Sequence, residues 1–130
     1  MAKRVLLVDG RDVDRQAFQL ALETEGHEVT AVADGFTALE TIDRRMPDLV
    51  VLDLRLPELS GADVLRVIRT TSGWEDIPVL MVTGLSMRPK ETAIRHAGRT
   101  LCLDKPCSTE SLLSNVNQLL AAGDRTAAAA

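Results

Sequence analysis

The sequence predicts a doubly wound α/β domain with a mostly parallel sheet. Three observations carry this. Five short apolar runs alternate with longer amphipathic stretches. The runs are too short for buried helices and are rich in Val and Leu, as suits strands covered on both faces. The alternation repeats along the whole chain, the pattern of strand–helix–strand units.

The elements follow in order. Val5-Leu6-Leu7-Val8 is an apolar run with charge on each side, the first strand. Val13, Ala17, Leu20, Ala21 and Thr24 recur at three- and four-residue spacing behind it, predicting a helix with that stripe inward, stopped by Gly26. Glu28 to Val32 reads as a weaker second strand, and Asp34-Gly35 opens a helix using Ala38, Leu39 and Ile42 that Pro47 breaks. Leu49-Val50-Val51-Leu52 is continuously apolar, a strand covered on both faces. A loop from Pro57 to Gly61 leads to a helix using Val64, Leu65 and Ile68. Val79 to Val82 is the fourth strand, and a helix is expected from near Pro89, carrying Ala93, Ile94 and Ala97 and ending at Gly98. Leu101 to Asp104 is the last strand. Ser108 or Thr109 caps a final helix through Leu112, Leu113, Val116, Leu119 and Leu120. One domain over residues 1–121 is expected, with the Ala-rich stretch 122–130 a frayed end or the stub of a linker.

Composition excludes several classes. The 130 residues carry fifteen Lys and Arg against nineteen Asp and Glu, a net charge of −4 without a dominant basic run. That is a poor match to nucleic acid or an anionic membrane surface. Phe18, Phe36 and Trp74 are the only aromatic residues, too few for a base-stacking surface, so the core falls to Leu, Val, Ile and Ala. No apolar stretch is long enough to span a bilayer, and the four apolar residues before Asp9 are too few for a signal-peptide core. Cys102 and Cys107 form no framework pattern, so free or packed thiols in a cytoplasmic setting are expected.

In an open α/β sheet, ligands bind beyond the carboxyl ends of the strands. The first strand ends in Asp9, the third in Asp53, the fourth in Thr83 and the fifth in Asp104-Lys105. Polarity closing one strand is unremarkable in itself. Carboxylates, a hydroxyl and an ammonium on one rim make a coherent site for Mg²⁺-assisted phosphoryl chemistry, in which a carboxylate can be the nucleophile.

These residues and their neighbourhoods resemble the receiver domain of bacterial two-component response regulators, in its single-domain, chemotaxis-regulator-like form. The resemblance covers about residues 3 to 121 and rests on VLLVDG (5–10), PDLVVLDLRLPELSG (47–61), IPVLMVTG (77–84) and LCLDKP (101–106), in family order and spacing. It implies a flavodoxin-like fold with strand order 2-1-3-4-5. It implies that Asp53 accepts a phosphoryl group from a histidine kinase or phosphotransfer protein. Asp9, Asp53 and the backbone carbonyl of Arg55 would hold Mg²⁺, Thr83 would bind the phosphoryl oxygens, and Lys105 would pair with the phosphoryl group. Pro106 follows Lys105 as in the family, where that bond is usually cis.

Two positions depart from the family. Gly10 stands where the family has the second acid of its pair, a direct Mg²⁺ ligand, so metal binding is expected to be weak. Asp12 and Asp14 either favour the N-terminus of the first helix or reach the site through water. Cys102 stands where the family usually has Tyr or Phe, so switching by a swinging ring is expected to be absent or replaced. Two readings follow: a working phosphoacceptor, favoured by the presence of Asp9, Asp53, Thr83 and Lys105, or a degenerate receiver serving as a phosphorylation-independent interaction module.

Competing chemistries fit less well. The spacing of Asp9, Asp12 and Asp14 does not make a calcium loop. Arg55 stands where aspartate-based phosphohydrolases need a second acid, so the chain is not expected to be an enzyme. The two cysteines lack a second pair for zinc. His27 and His96 read as surface residues. Arg88, Lys90, Arg95 and Arg99 face one acid, Glu91. They are read either as a solvated helix face or as a docking surface for an acidic output partner, since the family signals through the helix near Pro89, the last strand and the last helix.

Overall fold

The structure, a computed structural model, describes residues 3–84 and 98–129. Five parallel strands alternate with helices: β1 (Arg4–Val8), α1 (Asp12–Thr24), β2 (Glu28–Val32), α2 (Gly35–Arg44), β3 (Leu49–Asp53), α3 (Gly61–Thr70), β4 (Val79–Thr83), β5 (Thr100–Asp104) and α4 (Thr109–Ala129). The sheet order is β2-β1-β3-β4-β5, the flavodoxin-like order expected. The helix expected from near Pro89 lies outside the described residues.

Side chains on successive strand residues point to opposite faces, and both faces are covered. Leu6, Val8, Val50, Leu52, Val79 and Met81 pack with α2 and α3 through Ala38, Ile42, Val64, Leu65 and Ile68. Val5, Leu7, Leu49, Val51, Leu80 and Val82 pack with α1 and α4 through Phe18, Leu22, Leu112 and Val116. Continuously apolar strands are therefore required, and β3 and β4 are buried at every position.

The phase of α1 corrects the sequence expectation. Val13 is 80% exposed and Leu20 68%, Ala17 and Thr24 are exposed as well, and Phe18 and Leu22 are the buried residues. Phe18 and Leu22 are four apart and bring more apolar surface than the Val13–Ala17 stripe, so burying them wins. Asp14, four residues before Phe18, is carried on the same inward face.

Side-chain caps start the other helices. The Asp34 carboxylate accepts from Thr37 N, the Ser60 hydroxyl from Asp63 N, and the Ser108 hydroxyl from Ser111 N. Ser108, rather than Thr109, caps α4. That helix spans Thr109–Ala129 and so takes in part of the Ala-rich stretch. At the opposite end of the sheet from the capped helix starts, Arg69 ties the segments entering β4 and β5, donating to the carbonyls of Glu75, Ile77 and Arg99 and to the Thr100 hydroxyl.

The joint between β3 and α3 is the tightest in the fold. Gly61 N donates to the Leu54 carbonyl at 2.9 Å. A Cβ at Gly61 would fall on the Asp53 carbonyl and within 2.8 Å of Leu54 Cα, so the end of β3 is set by a residue without a side chain. Gly61→Ala is expected to cost about 3 kcal/mol in urea unfolding, as forced overpacking does. Gly84→Ala, whose Cβ would come no closer than 3.8 Å to Lys105, is expected to stay within about 0.5 kcal/mol. Equal stabilities for the two variants would show that the β3–α3 joint moves freely.

Candidate functional site

Because all five strands are parallel, their carboxyl ends share one edge, and β1 and β3 lie side by side at its centre. Val8 pairs with Leu52 and Asp53 with Val82, so Asp9, directly after β1, is brought beside Asp53. Thr83 closes β4 opposite Asp104 of β5. Asp9, Asp53 and Thr83 are 2%, 4% and 1% exposed. A buried carboxylate is costly unless charged or hydrogen-bonded partners answer it.

Lys105 is that partner. Its Nζ donates to Asp9 Oδ2 at 2.8 Å and to Asp14 Oδ2 at 2.9 Å, and lies 3.7 Å from Asp53 Oδ2. The Phe18 ring lies 5.8 Å from the ammonium, within cation–π range. Backbone amides take up the remaining oxygens: Arg11 N donates to Asp9 Oδ1 at 2.9 Å and Arg55 N to Asp53 Oδ1 at 3.2 Å. Lys105 N itself donates to the Thr83 carbonyl, and the Lys105–Pro106 peptide is cis. The Arg15 guanidinium holds the Asp9 carbonyl at 2.9 Å and pairs with Asp12.

The titration of the cluster follows from this geometry. Burial pushes the Asp53 carboxyl up to about 6, with the Asp9 charge adding to the rise and the Lys105 ammonium opposing it. Burial by itself would lower Lys105, but its hydrogen bonds to Asp9 and Asp14 and the charge of Asp53 outweigh that and raise it. Burial also raises the Cys107 thiol. That residue lines, with Arg11, Asp14, Phe18, Gly84 and Lys105, a groove of about 400 Å³ opening beside the ammonium.

The structure gathers Asp9, Asp53 and Lys105 and sets Thr83 on the same edge. Arg55 meets Asp53 through its backbone amide. Asp104 is exposed and stands outside the cluster. Asp12 is a surface partner of Arg15, whereas Asp14 reaches Lys105 directly, not through water. The sequence signal for Asp14 was its four-residue spacing from Phe18, visible only once Phe18 is known to be inward. Cys102 is half-buried against the α2–α3 side of the core. Cys102 and Cys107 are free, and His27 is half-buried, its Nδ1 accepting from Lys3 N. Of the basic group near the last strands, Arg88, Lys90 and Arg95, like His96, lie outside the described residues. Arg99 donates to the carbonyls of Asp76 and Leu119. Among the described residues, no three His, Cys, Asp or Glu side chains form a ready metal cage, and no helix is long and apolar enough to cross a membrane.

The raised Asp53 carboxyl has a consequence for stability. A carboxyl raised above its unfolded value stabilises the fold fully below that value and loses the contribution as pH climbs through about 6. Asp53→Asn carries no such titration. It is therefore expected to be more stable than the wild type at pH 8, with the gap narrowing steadily toward pH 4 in urea unfolding. A gap independent of pH would show that Asp53 is not held in its raised state.

The response regulator receiver domain family matches residues 5–117. The polar-differentiation response regulator DivK of Brucella anthropi is 29% identical over 120 residues, spanning 92% of this chain and 98% of DivK. Among solved structures, the chemotaxis response regulator CheY4 of Vibrio cholerae superposes with a TM-score of 0.84 at 29% identity, over 92% of this chain and all of CheY4. NtrX from Brucella abortus superposes at 0.86 and 28% identity over 99% of this chain, which spans 29% of the NtrX chain. With its parallel sheet in the order 2-1-3-4-5 and this family match across its length, the chain belongs to the response regulator receiver domains of two-component signalling.

Proposed function

We propose that the chain is a phosphoacceptor: Asp53 takes a phosphoryl group from the phosphohistidine of a histidine kinase or phosphotransfer protein, and the change alters a partner-binding surface. One observation carries the reading, a buried carboxylate at the sheet edge with a second carboxylate beside it and an ammonium 3.7 Å away. An Asp53 carboxylate oxygen forms the new O–P bond as the N–P bond breaks, and the electron pair of that bond leaves on the imidazole nitrogen. The hydrogen bond from Arg55 N to Asp53 Oδ1 holds the nucleophile in one orientation. Lys105 and Thr83 take the charge and hydrogen bonds of the transferred oxygens.

The donor set fits Mg²⁺, which one or two carboxylates hold together with waters and phosphate oxygens. Asp9, Asp53 and the Arg55 carbonyl are the residues proposed to hold it. When bound, the cation neutralises the phosphoryl oxygens. Two further observations favour weak affinity: Gly10 supplies no carboxylate, and Asp9 is already paired with Lys105. The same observations support the second reading, a degenerate receiver that binds partners without phosphorylation, and Cys102 adds to it by offering no ring to swing. We place the receiver unit at residues 1–121 and the protein in the cytoplasm. Its output face is taken to include β5 and α4, with a partner protein, not nucleic acid or membrane, as the receiver of the signal, and with no turnover of its own.

Intact-mass analysis after incubation with a small acyl-phosphate donor decides between the readings. A Mg²⁺-dependent phosphoryl adduct, absent in Asp53→Asn, is the expected result. No adduct from either the small donor or a phosphorylated phosphotransfer protein would leave the interaction-module reading. Gly10→Asp provides an independent check. A Cβ there meets only the Ala33 carbonyl at 3.5 Å and Pro57 Cδ at 3.6 Å, so the acid is accommodated. It is expected to tighten Mg²⁺ binding at least about tenfold by calorimetry, since even outer-shell support is worth that much. Unchanged affinity would mean that the cation is not held beside Asp9.

A further inference from the structure

We propose that Asp14 is a positioning residue for Lys105, standing in from α1 for the acid that Gly10 lacks. It gives the ammonium a second anchor, so that Lys105 can release Asp9 to a divalent cation without losing an ion-pair partner. The inference rests on the phosphoacceptor reading above and deepens it.

The two anchors are nearly equal in length, 2.8 Å to Asp9 and 2.9 Å to Asp14, but not in setting. The Asp9 side chain is 2% exposed and lies in the carboxylate pair, whereas that of Asp14 is 31% exposed on the solvent side. An ammonium that lets go of Asp9 while keeping Asp14 moves outward. With Asp9 given over to the cation and Asp14 absent, the nearest remaining acid among the described residues is Asp53 at 3.7 Å, and Lys105 would settle on the acceptor itself, in competition with the cation.

Asp14 is not placed there as a surface acid. Phe18 and Leu22 fix the phase of α1 by burial, and that phase aims Asp14 at Lys105. Asp12, two residues earlier in the same turn, shows what helix-terminus acids otherwise do: it is exposed and paired with Arg15. The charge balance agrees. With Gly10 in place, Asp9 and Asp53 would face Lys105 with one uncompensated negative charge. Asp14 raises that to two, matching a divalent cation. Removing Asp14 therefore acts twice in one direction, through lost charge and through a lysine driven deeper.

The test is Mg²⁺ titration of the full chain by calorimetry, with wild type, Asp14→Asn, Asp14→Glu and Asp12→Asn. Asp14→Asn is expected to weaken binding about tenfold, the size of effect that outer-shell partners have. Asp12→Asn, equal in formal charge change, is expected to cost no more than about threefold. Asp14→Glu, which keeps the carboxylate on a longer stem, is expected to recover most of the affinity. In nitrogen-detected NMR with Mg²⁺ present, the Lys105 ammonium is expected to remain protected from water exchange in the wild type and to lose protection in Asp14→Asn. An unchanged affinity in Asp14→Asn, or an equal loss in Asp12→Asn, overturns the positioning role, as does a wild type that takes up no Mg²⁺. Intact mass on the same samples separates the two ideas. An Asp53 adduct with Asp14→Asn indistinguishable from wild type defeats this inference alone. Mg²⁺ uptake without any adduct defeats the phosphoacceptor reading.

Discussion

One ammonium group holds together carboxylates delivered by three separate elements. Lys105 arrives on the segment after β5, Asp9 at the end of β1, Asp53 at the end of β3 and Asp14 on α1. Buried carboxylates repel one another and lose hydration, and ionised ones persist only with paired charge and hydrogen bonds. The sheet edge is thus a place where strand order, strand ends and helix phase must all agree. A one-residue slip of β1 against β3 would turn Asp9 to the other face of the sheet and leave Lys105 without its strongest partner.

The core and the site are joined through α1. Phe18 belongs to the cluster of Val5, Leu7 and Val51, and its ring also lies beside Lys105 Nζ. Asp14, one turn before it, bonds the same nitrogen. Packing of an apolar ring therefore sets the height and angle at which a charged group meets the cluster. On the other side of the sheet, Gly61 lets the start of α3 lie against the backbone of Asp53 and Leu54, so Asp53 is held from behind by a contact that tolerates no side chain. Both arrangements put the rigid parts of the fold directly behind the charged cluster, where small displacements would matter most for the proposed transfer.

Much of this was legible from residue order. The strands announced themselves because parallel strands buried on both faces must be apolar along their length, as β3 is from Leu49 to Leu52 and β4 from Val79 to Val82. The polar residues that close them marked the edge where Asp9, Asp53 and Thr83 lie. The phase of α1 was not legible, because it carries two apolar sets. Val13, Ala17 and Leu20 make the longer periodic stripe, while Phe18 and Leu22 are fewer and larger. Periodicity counts positions, but burial rewards area. That error hid Asp14, whose role depends on which face turns inward. Arg69 was missed for a related reason: its partners are backbone carbonyls, which no side-chain pattern reveals.

The cluster has a charge imbalance that something must relieve. Two carboxylates bond one ammonium and a third stands 3.7 Å from it, and Arg11 approaches Asp14 only at 3.8 Å from an exposed position, where screening leaves little attraction. A proton relieves part of the imbalance, and the rise of Asp53 to about 6 expresses how readily the site accepts one. A divalent cation held as proposed would relieve it more fully, displacing Lys105 from Asp9. The proposed phosphoryl group on Asp53 would bring further negative charge, for Lys105 and a cation to answer together. The three events therefore compete for or cooperate at the same atoms, and the balance among them is set by where Lys105 can stand. The residue after Asp9 is Gly10, which brings no carboxylate to this edge. Here one of the carboxylates sits on a helix instead. The preference of this site between proton, lysine and metal is thereby tied to the packing of α1.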